Sequence, residues 1–176
     1  AIGRHNRMVV ILGTSGCGKT RTCFELLSLK WGLYFLVEPG DIIGSRDLVC
    51  VIAYLQQKLT RDKSMNHTLA LAVVRCALLS QLLILDYCCR ETSFNPHCWL
   101  LLQTCQRLWG LSYHYGEDIF CTLTLQLIES CEDKDVQTAI NTIYLKFCND
   151  MFPIVLDEAQ LLSTTLENQF SSRNKP

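Results

Sequence analysis

An excess of charge of either sign is the first thing this sequence lacks. Sixteen Lys and Arg stand against seventeen Asp and Glu, a formal net charge of −1, so no global field draws the chain to nucleic acid or acidic lipid. Cysteines at metal-ligand spacing are also missing. There are eleven cysteines but no C-x-x-C, and His97, Cys98 and Cys105, the nearest approach to a ligand cluster, lack the second close pair that a tetrahedral zinc site needs. Most of the thiols fall in apolar stretches, where a free thiol behaves as a small hydrophobe. The expectation is a reduced, mostly buried set in a reducing compartment. Long uncharged apolar runs are absent too. The most apolar stretch, 69–89, is interrupted by Arg75, Gln81 and Asp86, whereas a membrane span needs about 20 largely apolar residues. A buried helix is expected there, and no membrane partner. No signal peptide opens the chain, and Ala1 is not preceded by an initiator Met, so a piece of a longer protein is expected.

What is present fits one domain with a sizeable core: 176 residues, 49% hydrophobic and 19% charged. Met8-Val9-Val10-Ile11-Leu12 reads as a strand buried on both faces of a parallel sheet. A glycine-rich turn follows, then a helix over 20–30 with Cys23, Phe24, Leu26 and Leu27 on its apolar side. Leu33-Tyr34-Phe35-Leu36-Val37 reads as a second buried strand stopped by Pro39-Gly40, which completes a right-handed βαβ unit. Five helical segments come next. The first, with Ser45 as N-cap, carries Leu48, Ile52, Leu55 and Leu59 and is broken by Arg61-Asp62-Lys63-Ser64. The second spans about 68–90. The third starts at Asn95-Pro96 and runs through Leu108 to a turn-like stretch at 110–116. The fourth is marked by Phe120, Leu123 and Leu127 and ends near the acidic run 129–135. The fifth is marked by Val136, Ile140, Ile143 and Phe147. Phe152-Pro153-Ile154-Val155-Leu156 is a third buried strand ending in Asp157-Glu158. The fold class expected is α/β, a phosphate-loop core with a parallel sheet of few strands. A large helical insertion at about 45–150 sits within a domain spanning 1–170, and a loose polar tail follows at 171–176.

Gly13-Thr14-Ser15-Gly16-Cys17-Gly18-Lys19-Thr20 fits G-x-x-x-x-G-K-[ST] throughout. Glycines let backbone N–H groups turn inward around phosphate oxygens, and the following helix adds its positive dipole end. Lys19 is assigned to the β- and γ-phosphates and the Thr20 hydroxyl to Mg²⁺. An acid at the tip of a buried strand faces the crevice where open α/β sheets bind ligands. Asp157 is therefore assigned to Mg²⁺, and Glu158 to polarising the attacking water. Gln160 could sense the γ-phosphate or lie idle at the surface. No N-K-x-D guanine-reading pattern is present, which favours ATP and leaves GTP as the lesser alternative.

Together these strings resemble the P-loop NTPase module of Crinkler-type proteins, in the sets found in early-diverging fungi. The resemblance is carried by Gly13 to Thr20, Trp31-Gly32-Leu33-Tyr34-Phe35 and Ile43-Gly44-Ser45-Arg46-Asp47-Leu48. Trp99-Leu100-Leu101-Leu102-Gln103 and Ile154-Val155-Leu156-Asp157-Glu158-Ala159-Gln160 complete it. It implies an ATPase with a catalytic glutamate beside the Mg²⁺ aspartate, covalently linked to an effector domain outside these residues. Some members of that family are effectors delivered into host cells and nuclei. The family's leader with its translocation motif is absent here, so an intracellular site, cytoplasm or nucleus, stands beside the secreted one.

The function expected is an ATP-binding, Mg²⁺-dependent hydrolysing regulatory module, with Lys19 and Glu158 in the catalytic roles. The first rival is a module that holds nucleotide with little turnover. Few residues follow Gln160, and such enzymes usually add further strands, a polar sensor and an arginine finger. Arg173 lies close to the end, and Arg46 and Arg107 cannot be placed from sequence. A neighbouring subunit could supply the finger, which keeps a homo-oligomer among the expected partners. The second rival is a helicase-like motor, suggested by Asp157-Glu158-Ala159-Gln160. No strand-separating motif accompanies that box, and nucleic acid stays open as a partner.

Overall fold

Three side chains fix where the helical part of the chain begins to coil. In the computed structural model, which describes residues 8–11, 14, 16–37, 46–104, 118–147, 151–159, 166–167 and 169–170, Asp62 accepts the backbone N–H groups of Ser64 (2.9 Å) and Met65 (3.3 Å). Asp118 does the same for Phe120 and Cys121, and Asn95 for Cys98 at 3.0 Å. Each satisfies donors that the first turn of a helix leaves orphaned. The elements are α1 (Lys19–Leu29), β1 (Leu33–Leu36), α2 (Arg46–Lys58), α3 (Lys63–Cys88), α4 (Pro96–Thr104), α5 (Ile119–Ser130), α6 (Asp133–Phe147) and β2 (Ile154–Asp157). The expected break does separate α2 from α3, but α3 starts at Lys63, earlier than the expected 68, because Asp62 caps it. Ser45, Pro39-Gly40, the 110–116 stretch and the 171–176 tail lie outside the described residues.

Helix α3 packs against α2, α5 and α6 and is the centre of the core. Val73, Cys76, Leu79, Leu82 and Leu85 are buried along it. Ser80 and Thr124 share a 2.8 Å hydrogen bond inside the α3–α5 contact, so each hydroxyl is satisfied without water. Arg75 pairs with Asp133 at 2.6 Å and Asp86 with Lys146 at 2.7 Å. These two links clamp α3 and α6 side by side and parallel. By length and composition α3 is apolar enough to cross a membrane; half of its most apolar window is buried inside the fold, while Leu71, Val74 and Tyr87 are exposed. Trp99 and Phe120, both fully buried, meet edge to face at 5.8 Å and close the core towards the sheet.

Two expectations fail. Residues 8–11 form no strand, and their side chains are exposed, from 89% at Met8 to 48% at Ile11. A parallel strand gains stability when neighbours cover both faces. Here β2, the strand left with an open side, is itself uncovered on one face at Ile154 and Leu156, and offers little burial to a third strand. The third strand predicted as buried is therefore present but half exposed. Among the described residues the sheet is two parallel strands, paired from Leu33↔Ile154 to Leu36↔Asp157. The second failure concerns the thiols. Packing of α2 against α5 brings the Cα atoms of Cys50 and Cys121 to 6.1 Å, within bridging range, and a disulfide joins them. The cysteines are not all reduced, and this bridge constrains the unfolded chain by about 4 kcal/mol in the loop-entropy estimate. Cys76, Cys88 and Cys89 remain free thiols. Burial pushes all three up, Cys76 and Cys89 to about 11.

The junction between α1, β1 and β2 needs a glycine. A Cβ on Gly32 would run into the Pro153 carbonyl and the Leu27 side chain. Its own carbonyl accepts the Trp99 indole N–H at 2.7 Å, which fixes α4 against β1. Gly32→Ala is expected to cost about 1–3 kcal/mol through overpacking, read as a lower denaturant midpoint with unchanged slope; an unchanged midpoint would show that this junction is loose.

Asp47 is a carboxylate in the core, 1% exposed, accepting from the Leu48 N–H at 2.8 Å and the Gln81 amide at 2.7 Å. Burial raises it to about 6, against those hydrogen bonds, which pull it down. The folded state therefore holds this proton more tightly than the unfolded state. Its contribution to stability is greatest below pH 4 and is lost as pH rises through about 6, on the order of 3 kcal/mol. Asp47→Asn is expected to raise the unfolding midpoint at pH 7 and to flatten the pH 4–6 segment of the stability profile. A mutant with the same pH slope as the parent would refute this assignment.

Candidate functional site

Helix α1 starts without a side-chain cap. Its N-cap is Gly18, with a left-handed backbone at φ 88°, and no acid lies in the first turn. Gly16 is left-handed as well, at φ 79°. A Cβ at either position would meet nothing within 4 Å. The backbone turn, not crowding, is what requires glycine there. The loop is closed by Cys17 N–H donating to the Thr14 carbonyl at 3.3 Å. Alternating backbone hand beside an uncapped helix N-terminus is the arrangement that turns N–H groups towards an anion. Gly13 and Ser15 lie outside the described residues, as does Gln160.

The Lys19 ammonium lies back across this loop, 3.1 Å from the Thr14 carbonyl oxygen and 3.9 Å from the Cys17 sulfur. Thr20, one residue into the helix, donates its hydroxyl to Asp157 Oδ2 at 2.8 Å across 137 residues of sequence. The two halves of the predicted site thus meet. The parallel register explains how: β2 carries Asp157 to the level of Leu36, and α1 packs on the same face of the sheet through Leu27, Phe24, Tyr34, Leu36 and Val155.

Asp157 is held from three directions. Besides Thr20, the Tyr34 phenol donates to Oδ2 at 3.0 Å, and the Glu158 backbone N–H donates to Oδ1 at 3.0 Å. Burial first, and then the hydrogen bond to Asp157, push the Tyr34 phenol far above its ordinary range, so it stays a donor at neutral pH. Cys23, half buried on α1, is also pushed up by burial and by the Asp157 charge. Glu158 is exposed and has a left-handed backbone at φ 55°, the single positive φ outside glycine among the described residues. That conformation strains a non-glycine residue and aims its side chain away from the strand direction.

Among the described residues no three His, Cys, Asp or Glu side chains gather as a metal site. Magnesium makes a smaller demand: one or two protein oxygens, with phosphate and water completing the shell. The Thr20 hydroxyl and the Asp157 carboxylate, in contact and open to solvent, fit that demand in donor type and placement.

Sequence reasoning missed Tyr34 and Gln103. Tyr34 was counted as one apolar member of a buried strand, although a buried tyrosine needs a partner for its O–H. Gln103 accepts the Tyr34 N–H at 2.8 Å, taking the place of a further strand on that side of β1. The Arg46 side chain, Arg107 and Arg173, the arginines considered for a finger, lie outside the described residues. No protein-family model, curated protein or solved structure matches the chain.

Proposed function

We propose that this chain binds ATP with Mg²⁺ and hydrolyses it, as the regulatory module of a larger Crinkler-like protein. The observation that carries the reading is the 2.8 Å contact between Thr20 and Asp157. A chance glycine turn and a chance acidic strand end have no reason to meet across the length of the chain. In this reading Gly13 to Gly18 turn their backbone N–H groups to the phosphates, and Lys19 leaves the Thr14 carbonyl for the β- and γ-oxygens. Thr20 and Asp157 hold the metal, which supplies neutralisation of charge on the phosphoryl oxygens. Glu158 orients a water and takes its proton at the side-chain carboxylate. The strained backbone of Glu158 supports a functional role, because such strain concentrates where a side chain must be aimed.

A second reading, nucleotide held with little turnover, is favoured by one observation. Thr20 and Glu158 are both exposed, and efficient phosphoryl transfer draws on a site closed to bulk water. A domain or subunit docking over the loop would supply that closure.

Both readings are separated by measuring ATP affinity and turnover for the parent, Lys19→Ala and Glu158→Gln. Lys19→Ala is expected to weaken ATP binding at least tenfold. Glu158→Gln is expected to keep binding within about threefold and to lower turnover by roughly 100-fold or more. Binding undiminished in Lys19→Ala would overturn the phosphate-loop assignment. Turnover indifferent to Glu158→Gln would overturn the catalytic one.

A further inference from the structure

Resting on the nucleotide reading, we propose that Tyr34 is the positioning residue of the metal site, the group that sets the Asp157 carboxylate for Mg²⁺. Asp157 Oδ2 accepts from Thr20 on the solvent side and from Tyr34 on the buried side. A metal bound through a lone pair of the Thr20 hydroxyl oxygen leaves that hydroxyl its proton, so the Thr20 contact is compatible with the metal. The Tyr34 contact reaches Oδ2 from the interior, and the Glu158 backbone N–H holds Oδ1. Together they fix the plane of the carboxylate and leave its remaining lone pairs for a metal.

Tyr34 is built to be a fixed point. It is 3% exposed, and its ring meets Phe24 edge to face at 5.0 Å. Its backbone N–H is bonded to Gln103 at 2.8 Å. In the parallel register it stands beside Val155, two residues before Asp157 and on the same face of the sheet, so the phenol reaches along β2 to the carboxylate. A carboxylate with one oxygen anchored in this way gives up less rotational freedom on metal binding. Partners that orient a ligand from behind typically change metal affinity 10- to 100-fold.

The test is Tyr34→Phe, which keeps the ring and removes the O–H. ATP affinity is measured in EDTA and across a Mg²⁺ titration, alongside thermal unfolding. The expected result is EDTA affinity within about twofold of the parent and a Mg²⁺ half-saturation point raised about tenfold or more. A folded Tyr34→Phe protein with the parent's Mg²⁺ half-saturation overturns the positioning role and leaves the nucleotide reading intact. A parent chain that binds no ATP, with or without Mg²⁺, overturns both. If Tyr34→Phe fails to fold, 3-fluorotyrosine at position 34 keeps the packing and alters the donor strength of the phenol. An unchanged Mg²⁺ requirement in that protein overturns the proposal equally.

Discussion

One carboxylate oxygen, Asp157 Oδ2, takes a hydrogen bond from Thr20 at the start of α1 and another from Tyr34 in the middle of β1. This shared acceptor ties α1, β1 and β2 together. Without it, α1 would be held to the sheet by Leu27, Phe24 and their apolar neighbours, contacts that tolerate sliding. Two directional bonds on one oxygen do not tolerate it, because hydrogen bonds to a charged acceptor are short and lose strength quickly with angle.

The large helical layer serves this arrangement from behind. A two-stranded sheet of four-residue strands is too small to hold a register unaided. Here the register is imposed by α4, whose Trp99 and Gln103 side chains bond the Gly32 carbonyl and the Tyr34 N–H. Trp99 in turn packs against Phe120 of α5, and α5 is bound to α3 by packing and to α2 by the Cys50–Cys121 bridge. A continuous set of buried contacts therefore runs from the α2–α5 disulfide to the carboxylate. The exposed run at 8–11 takes no part in it.

Much of this was legible in the sequence, and the reasons differ by element. Helices α2 to α6 are legible by apolar spacing and by Asn95, whereas α3 starts earlier than its apolar spacing implies, because Asp62 both stands in the break after α2 and caps the next helix. The glycine turn before Lys19 and the acidic pair at Asp157-Glu158 stand out in the sequence because phosphate and metal chemistry would ask for those residue types in that order. The strand at 8–12 was not, since an apolar β-rich string predicts pairing only where the rest of the fold offers a covered partner, and β2 offers none. The disulfide was hidden for a related reason: its cysteines are 71 residues apart and meet through helix packing that no local spacing encodes. Tyr34 was hidden by its company, a polar atom inside four apolar neighbours. Its role becomes visible only with the parallel register that brings Asp157 within reach.

The central claim is that Thr20 and Asp157 act as one metal-binding unit on a bound nucleotide. A double-mutant cycle tests it most directly: titration calorimetry of ATP with Mg²⁺ and in EDTA, for the parent, Thr20→Val, Asp157→Asn and the double variant. The predicted result is a parent affinity at least tenfold tighter with Mg²⁺, a gain lost in either single variant and not reduced further in the double. A parent affinity indifferent to Mg²⁺, or two losses that simply add, would contradict it.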